Sequence, residues 1–477
     1  APPGSRKDGF DDDARFDRLD QDERSYILGL QYLMNCFQWK QYLTFPTRRE
    51  REEWIERFWL YLDPTPTTPE NERRIEHEMR VATARQHFAM GRDPGWDRRG
   101  EIFIRFGDPD SRTILDPDVS ERGAAPPREQ WYYGTFDMLI SFADITHNGE
   151  YFYDEEIPYS IHSILRAMTD PFAAYNFSIY PYEMIPMIMP DLKTPKEEIA
   201  EIIEYCHEAD IRKERLPAFV DVTTFRGGPG MLKTEISFEI PGEELELEYG
   251  NGEEQSEIEI RVLVRNARMD SVEFASDCIT AFTPELRQRP YSDLIPAQIC
   301  VTLRPGYYRF GMEVIDRSTG RSSSYRKSIQ LSALDQYPAV SDIQFAGRIR
   351  ETEENNRFVK GRLEVVPHPT HVYRKPRPVI FYFEVYGLDT DQDGLAFYSV
   401  EYTVTPLDKR RWGPVLLDVD TEISSSFETS GFGSMQPLRL TIDTGELRES
   451  AYELLVSVRD RRTLALARQR STFYVLE

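Results

Sequence analysis

Apolar residues recur with a helical period over the first hundred positions. Trp54, Ile55, Phe58, Trp59 and Leu62 line one stripe of a helix, because i, i+3, i+4 and i+7 positions share a face. Thr47, with Glu50 three residues on, forms a capping box at its start. An earlier helix is predicted over 26–43, stopping before Pro46. The run Asp63-Pro64-Thr65-Pro66-Thr67-Thr68-Pro69 breaks the period. Pro69 after Thr68 suits the first position of a third helix, with Ile75, Met79, Ala82 and Phe88 on its inward side. Residues 1–24 are polar and acidic, with Asp11-Asp12-Asp13, and read as an extended arm.

The period then changes to two. Residues 101–107 read as a strand closed by the turn Gly107-Asp108-Pro109-Asp110, followed by short strands near 130–134, 138–142 and 151–153. Residues 155–192 show no clear period, and Thr194, Pro195 and Glu197 open a helix to about 213. From 217 onward the pattern is strand throughout, in two successive sets of about seven segments, which suits Ig-like sandwiches. Tyr308 to Asp316 resembles Tyr452 to Asp460, each ending in Asp before a polar turn and a last strand. The predicted fold is multidomain α+β and all-β: an arm (1–24), a helical domain with a small sheet (25–215), and two antiparallel β-sandwich domains (216–334 and 335–477).

The length of 477 residues agrees, since single cores stop growing near roughly 250–300. A net charge of −24 repels phosphate backbones and argues against nucleic acid as a partner. No apolar run approaches the roughly 20 residues that span a bilayer as a helix. The opening Ala1-Pro2-Pro3, without Met, fits a mature exported chain. In an oxidising compartment Cys278 and Cys300 are expected to pair. Cys206, beside Ile199, Ile202 and Ile203 on one helical face, is expected to be a buried free thiol.

Catalytic patterns are sparse. His77-Glu78 opens like a zincin helix, but Val81 occupies the second ligand position, so His77 is expected on a solvated face. His368-Pro369-Thr370-His371 offers two imidazoles on a turn without a third ligand. Gly227-Gly228-Pro229-Gly230 lies between strands and reads as a β-turn. Asp389, Asp391 and Asp393, followed by Gly394, alternate oxygens like the start of a calcium loop. Val400 stands where the closing carboxylate belongs; calcium is the one cofactor the pattern suggests, against a plain acidic hairpin turn.

Several pieces together resemble the GWxTD-domain family of bacterial envelope proteins. They are Phe58-Trp59, Asp63-Pro64-Thr65-Pro66-Thr67-Thr68, Asn71-Glu72, Gly95-Trp96, Arg99 to Asp110 and Glu129 to Tyr133. The likeness covers about residues 26–145, and the Thr-Asp of the family name is missing after Trp96. The resemblance implies an exported location and brings no established activity. Physically the motif reads as structure. Asp63-Pro64 opens a rigid connector, Gly95 and Gly100 allow tight backbone, and Trp96 anchors a junction. Arg99, Gly107, Asp108, Pro109, Asp110, Trp59 and Trp131 complete it. The expected function is a non-enzymatic structural or interaction protein of the periplasm or cell surface, working through protein partners or self-association. The alternatives are a glycan- or peptide-binding protein and a carboxylate-dependent cell-wall hydrolase.

Overall fold

The computed structural model describes residues 14–477 apart from 116–118, 121–122, 125, 135–137, 154–214, 247, 251–252, 283–293, 408–410, 413–414 and 417–422. The predicted helix at 194–213 and the reading of Cys206 lie outside the described residues, as do residues 1–13 of the arm. The chain forms two compact units, Ala1–Pro64 with Glu70–Ile211, and Thr65–Pro69 with Arg212–Glu477.

The first unit is helical with a small sheet. Helices α1 (Gln21–Leu30), α2 (Cys36–Thr44) and α3 (Arg48–Leu62) each start with a reciprocal capping box, at Asp20/Glu23, Asn35/Gln38 and Thr47/Glu50. The single helix expected over 26–43 is therefore two, because a 3₁₀ turn over Gln31–Leu33 and the Asn35 cap interrupt it. The described end of the expected arm is not extended. Leu19 is buried with Ile27, Leu30, Tyr42, Phe58 and Trp59 in the helical core.

Helix α4 (Glu72–His87) is capped by Asn71, whose side-chain oxygen accepts from the Arg74 N–H, and not by Thr68. Its inward face also differs from expectation. Ile75 and Met79 are exposed, while His77 and Ala84 are buried. The His77 ring lies 5.6 Å from that of Trp59, so an imidazole fills the helix contact. Burial, then Arg73 and Arg80, push it down to about 3, which makes it a neutral core residue.

Residues expected as a strand at 101–107 form helix α5 (Arg98–Phe106). Asp97 caps it by accepting from the Arg99 and Gly100 N–H groups, and Gly107 ends it at φ 77°. Ile102, Phe103, Ile104 and Phe106 are all buried. A fully buried run has no polar face to reveal its period. Beyond it, β1 (Ser111–Leu115), β2 (Arg128–Tyr133), β3 (Met138–Ala143) and β4 (Phe152–Tyr153) form an antiparallel sheet in that order. Trp131 and Phe142 from this sheet meet Phe88 and Phe103 in one core.

The second unit holds two β-sandwiches. In the first, β5 (Phe219–Arg226), β6 (Leu232–Pro241), β7 (Glu253–Asn266), β8 (Ser271–Phe282), β9 (Leu294–Leu303), β10 (Gly306–Asp316) and β11 (Ser322–Leu331) make two sheets. Their orders are β9-β6-β5 and β8-β7-β10-β11, all neighbours antiparallel. The second sandwich uses β12 (Gln344–Glu351), β13 (Leu363–Pro367), β14 (Val372–Arg374), β15 (Val379–Tyr386), β16 (Leu395–Pro406), β17 (Ile423–Phe432), β18 (Met435–Ile442), β19 (Ser450–Asp460) and β20 (Leu466–Leu476). One sheet runs β17-β16-β19-β20, with β14 parallel on β20; the other contains β18-β15-β12-β13. The order β8-β7-β10-β11 thus repeats as β17-β16-β19-β20.

The repeat extends to single hydrogen bonds. Asp316 and Asp460 are both buried and end the equivalent strands β10 and β19. Asp316 Oδ1 accepts from the Ser318 N–H at 2.9 Å, and Asp460 Oδ1 from the Arg462 N–H at 2.8 Å. The Arg317 N–H donates to the Glu257 carbonyl, and the Arg461 N–H to that of Phe397. The turn Gly227 to Gly230 joins β5 to β6 as expected, with Gly230 at φ 68°. Thr65–Pro69 belong to this unit. The Thr67 hydroxyl donates to Glu313 at 2.5 Å, and Gly311 leaves room for the Pro66 ring.

Candidate functional site

In the first unit the motif residues build a core rather than a cleft. Asp97, only 4% exposed, accepts through Oδ2 from the Arg99 guanidinium at 2.8 Å and from the Tyr151 N–H at 3.1 Å. Arg99 also donates to Glu129 at 3.1 Å and lies 3.6 Å from the Tyr151 ring centroid. Glu129 accepts from the Trp131 indole at 2.9 Å and pairs with Arg112, which covers the Trp131 ring. A Cβ on Gly100 would stand 2.6 Å from Trp96 Cβ, so glycine there admits the indole, and Trp96 Nε1 donates to the Tyr32 hydroxyl.

Other motif positions follow suit. Gly95 has φ 98°, and the Gly107 carbonyl accepts from the Tyr133 hydroxyl. Asp110 accepts from the Gly134 N–H at 2.6 Å, while Asp108 is exposed and Pro109 half-buried. Trp59 Nε1 donates to the Tyr26 hydroxyl, and Asp63, buried, follows α3 ahead of Pro64. Every Asp97 and Glu129 oxygen named here is held by a donor within the fold, so the cluster fixes the junction between α5 and the sheet.

Two chemical expectations fail. The calcium set does not converge. Asp391 Oδ1 accepts from the Asp393 and Leu395 N–H groups, and Asp389 pairs with Arg462 at 2.8 Å. Among the described residues no cluster of three or more His, Cys, Asp or Glu could hold a metal ion. The segment is the acidic hairpin turn, with Gly394 at φ 79°. Cys278 and Cys300 are free, exposed thiols. They lie on β8 and β9, in opposite sheets, and alternate with the core residues Ile299 and Val301 or the inward Ala275 and Ile279. Both point away from a sandwich core about 10 Å thick, beyond disulfide reach.

The most concentrated buried chemistry is in the second unit, where one sandwich meets the other. Strand β6 reads as alternating, with Leu232, Thr234, Ile236 and Phe238 toward its own core. The intervening Glu235, Ser237 and Glu239 should face water, yet all are buried. Residues of the second sandwich cover them. Glu235 accepts from Gln298 at 2.7 Å and Gln344 at 3.0 Å, and pairs with Lys233 at 2.8 Å and Lys360 at 2.7 Å. Burial opposes the Glu235 charge, but Lys360 and Lys233 outweigh it and hold the carboxyl below its ordinary value. Burial pulls Lys360 down to about 8 despite Glu235. Its ammonium lies 3.4 Å from the Phe225 ring centroid and 4.9 Å from that of Tyr382.

A small apolar core of Phe225, Ala346, Val365 and Tyr382 surrounds this pair. Nearby, Glu384 accepts from the Tyr382 hydroxyl at 2.7 Å and the Tyr386 hydroxyl at 2.5 Å. The Arg226 N–H donates to the Tyr386 hydroxyl, and the Thr224 N–H to Asp342. The two histidines of the 368–371 turn close the joint. His368 Nδ1 meets Glu239 at 2.9 Å, and His371 Nε2 meets Asp221 at 3.0 Å. Glu235, Glu239, Glu384 and Asp221 could not be singled out from sequence, because each occupies an outward position of an ordinary strand.

Among the described residues no helix is long and apolar enough to cross a membrane. No family model and no curated protein matches the chain. Among solved structures it is similar to one titled "Biofilm associated protein - B domain", at 5% identity and a TM-score of 0.18, over 54% of this chain and 85% of that one.

Proposed function

We propose that this chain is a non-enzymatic structural and interaction protein of the bacterial cell envelope, exported and assembled with copies of itself or with protein partners. One observation carries the reading. Both sandwiches end a sheet in a long edge strand, and among the described residues β8 pairs only with β7, and β17 only with β16. Neither strand contains a Lys, Arg or Pro. Proteins that must stay apart protect such edges with those residues, and an open edge offers backbone groups for strand addition. Val272 and Phe274 on β8 and Phe432 on β17 are exposed beside these edges. The envelope location rests on the GWxTD resemblance of residues 26–145.

Light scattering with crosslinking on native protein from its source envelope tests the reading. The expected mass is several times 55.8 kDa, or that of a stable complex. Ser276→Lys and Ser430→Lys, each placing a charge on an edge strand, are expected to reduce it. A monomer without partners overturns the proposal.

A further inference from the structure

The turn His368-Pro369-Thr370-His371 is anchored within the second sandwich. The His368 N–H donates to the Phe345 carbonyl on β12, and the His371 carbonyl accepts from the Tyr474 N–H on β20. His371 holds φ 53°, a left-handed conformation that strains a residue with a Cβ and is kept only where surrounding contacts fix it. That conformation aims its ring at Asp221 on β5 of the first sandwich, while His368 reaches Glu239 on β6.

The ring contacts define a protonation state. His368 Nδ1 faces a Glu239 oxygen at 2.9 Å, and Nε2 faces the Val372 carbonyl at 2.8 Å and the Thr370 hydroxyl at 3.0 Å. His371 Nδ1 faces the Thr472 carbonyl at 3.1 Å, and Nε2 an Asp221 oxygen at 3.0 Å. Carboxylates and carbonyls only accept, so each ring meets an acceptor at both nitrogens. A neutral imidazole donates once and would turn a lone pair toward one of those oxygens; the imidazolium donates twice.

We propose that the joint between the two sandwiches is a proton-operated clamp, closed when His368 carries both ring protons and loosened when it loses one, with the His371 to Asp221 contact as its second anchor. Around His368 stand Glu239, which favours its charge, Arg377, which opposes it, and the Tyr373 ring. Around His371 stand Asp221 and the Phe345 ring, with Lys327 3.8 Å from Asp221 and Asp342 close to it. Burial disfavours the His368 charge, yet Glu239 and the Val372 carbonyl outweigh it, so its proton is held above the ordinary histidine range. The clamp's contribution is therefore complete below about pH 6.5 and is lost as pH rises through that raised value.

Ring ¹⁵N spectra of histidine-labelled full chain, from pH 5.5 to 9, test this directly. The expected result is one ring still doubly protonated at a pH where exposed histidines are neutral, with His368→Gln removing it. Spin labels, one on each sandwich, should then show a broader distance distribution at pH 9 than at pH 6. Finding the His368 ring neutral at pH 7 overturns the proposal, and so does an unchanged distance distribution after that ring has lost a proton. The wild-type titration stands even if a variant fails to fold.

Discussion

At the residue scale, the duplicated turn after β10 and β19 contains its own control. Gly320 and Leu464 hold the same place, four residues after Asp316 and Asp460, and both have positive φ, 73° and 60°. A side chain in that conformation costs about 1–2 kcal/mol, while glycine gives back roughly 0.5–1 through unfolded-state entropy. A Cβ on Gly320 would meet no atom within 4 Å, so the backbone alone decides the outcome. Leu464→Gly is therefore expected to stabilise the chain by about 0.5 kcal/mol, and Gly320→Ala to destabilise it by about 1. Urea midpoints measure both, and equal signs would contradict the equivalence of the turns. The sequence likeness of 308–316 and 452–460 pointed to this repeat because the Asp and the polar turn are local chemistry. The left-handed Leu464 was not legible, since leucine carries no sign of it.

At the element scale, Asp97 decides what its neighbours become. Without a cap, a short run such as Ile102 to Phe106 suits a strand as well as a helix. With its carboxylate on the Arg99 and Gly100 N–H groups, the helix wins. Asp97→Ala removes the cap and also leaves Arg99, whose side chain is 13% exposed, with Glu129 as its remaining carboxylate. The expected loss is about 2–4 kcal/mol, the sum of a cap and a partly buried ion pair. Asp97→Asn, which keeps a capping oxygen, should lose less; equal losses from the two would show that the cap contributes nothing. Helix α3 was legible because a capping box at Thr47 coincides with the aromatic stripe Trp54 to Leu62, while α1 and α2 read as one helix because the Asn35 cap falls inside a continuous apolar run. The inward face of α4 was not, because His77 is polar by type and buried by position. Strand β17 carries a weak strand signal for the opposite reason: Ile423 to Phe432 is mostly Ser, Thr and Glu, the composition of a solvated edge.

At the scale of the whole second unit, the joint shows why its chemistry was hidden. Alternation assigns Glu235 to water, and only the other sandwich removes that water. Burial makes its ion pair a matter of removal rather than addition. Lys360, with a side chain 6% exposed and aromatic rings beside it, has Glu235 as its carboxylate partner at 2.7 Å. Glu235→Gln should therefore cost about 3–5 kcal/mol, since a buried charge is left uncompensated. Lys360→Met should cost less, because Glu235 keeps Lys233, Gln298 and Gln344. The double variant is expected within about 1–2 kcal/mol of wild type, as an apolar side chain replaces the pair. Protonation sets the pH dependence. Lys360, at about 8, lies below its unfolded value, so its charge opposes folding fully below pH 8 and progressively less toward pH 10. The Glu235→Gln deficit should thus be largest at neutral pH and shrink at pH 10, and the histidine clamp, present in every variant compared, cancels from that deficit. Chemical unfolding of the four proteins at pH 7 and pH 10 tests this: a deficit that does not change with pH would mean that Lys360 is neutral in the fold throughout, and the ionic account of the joint would fall.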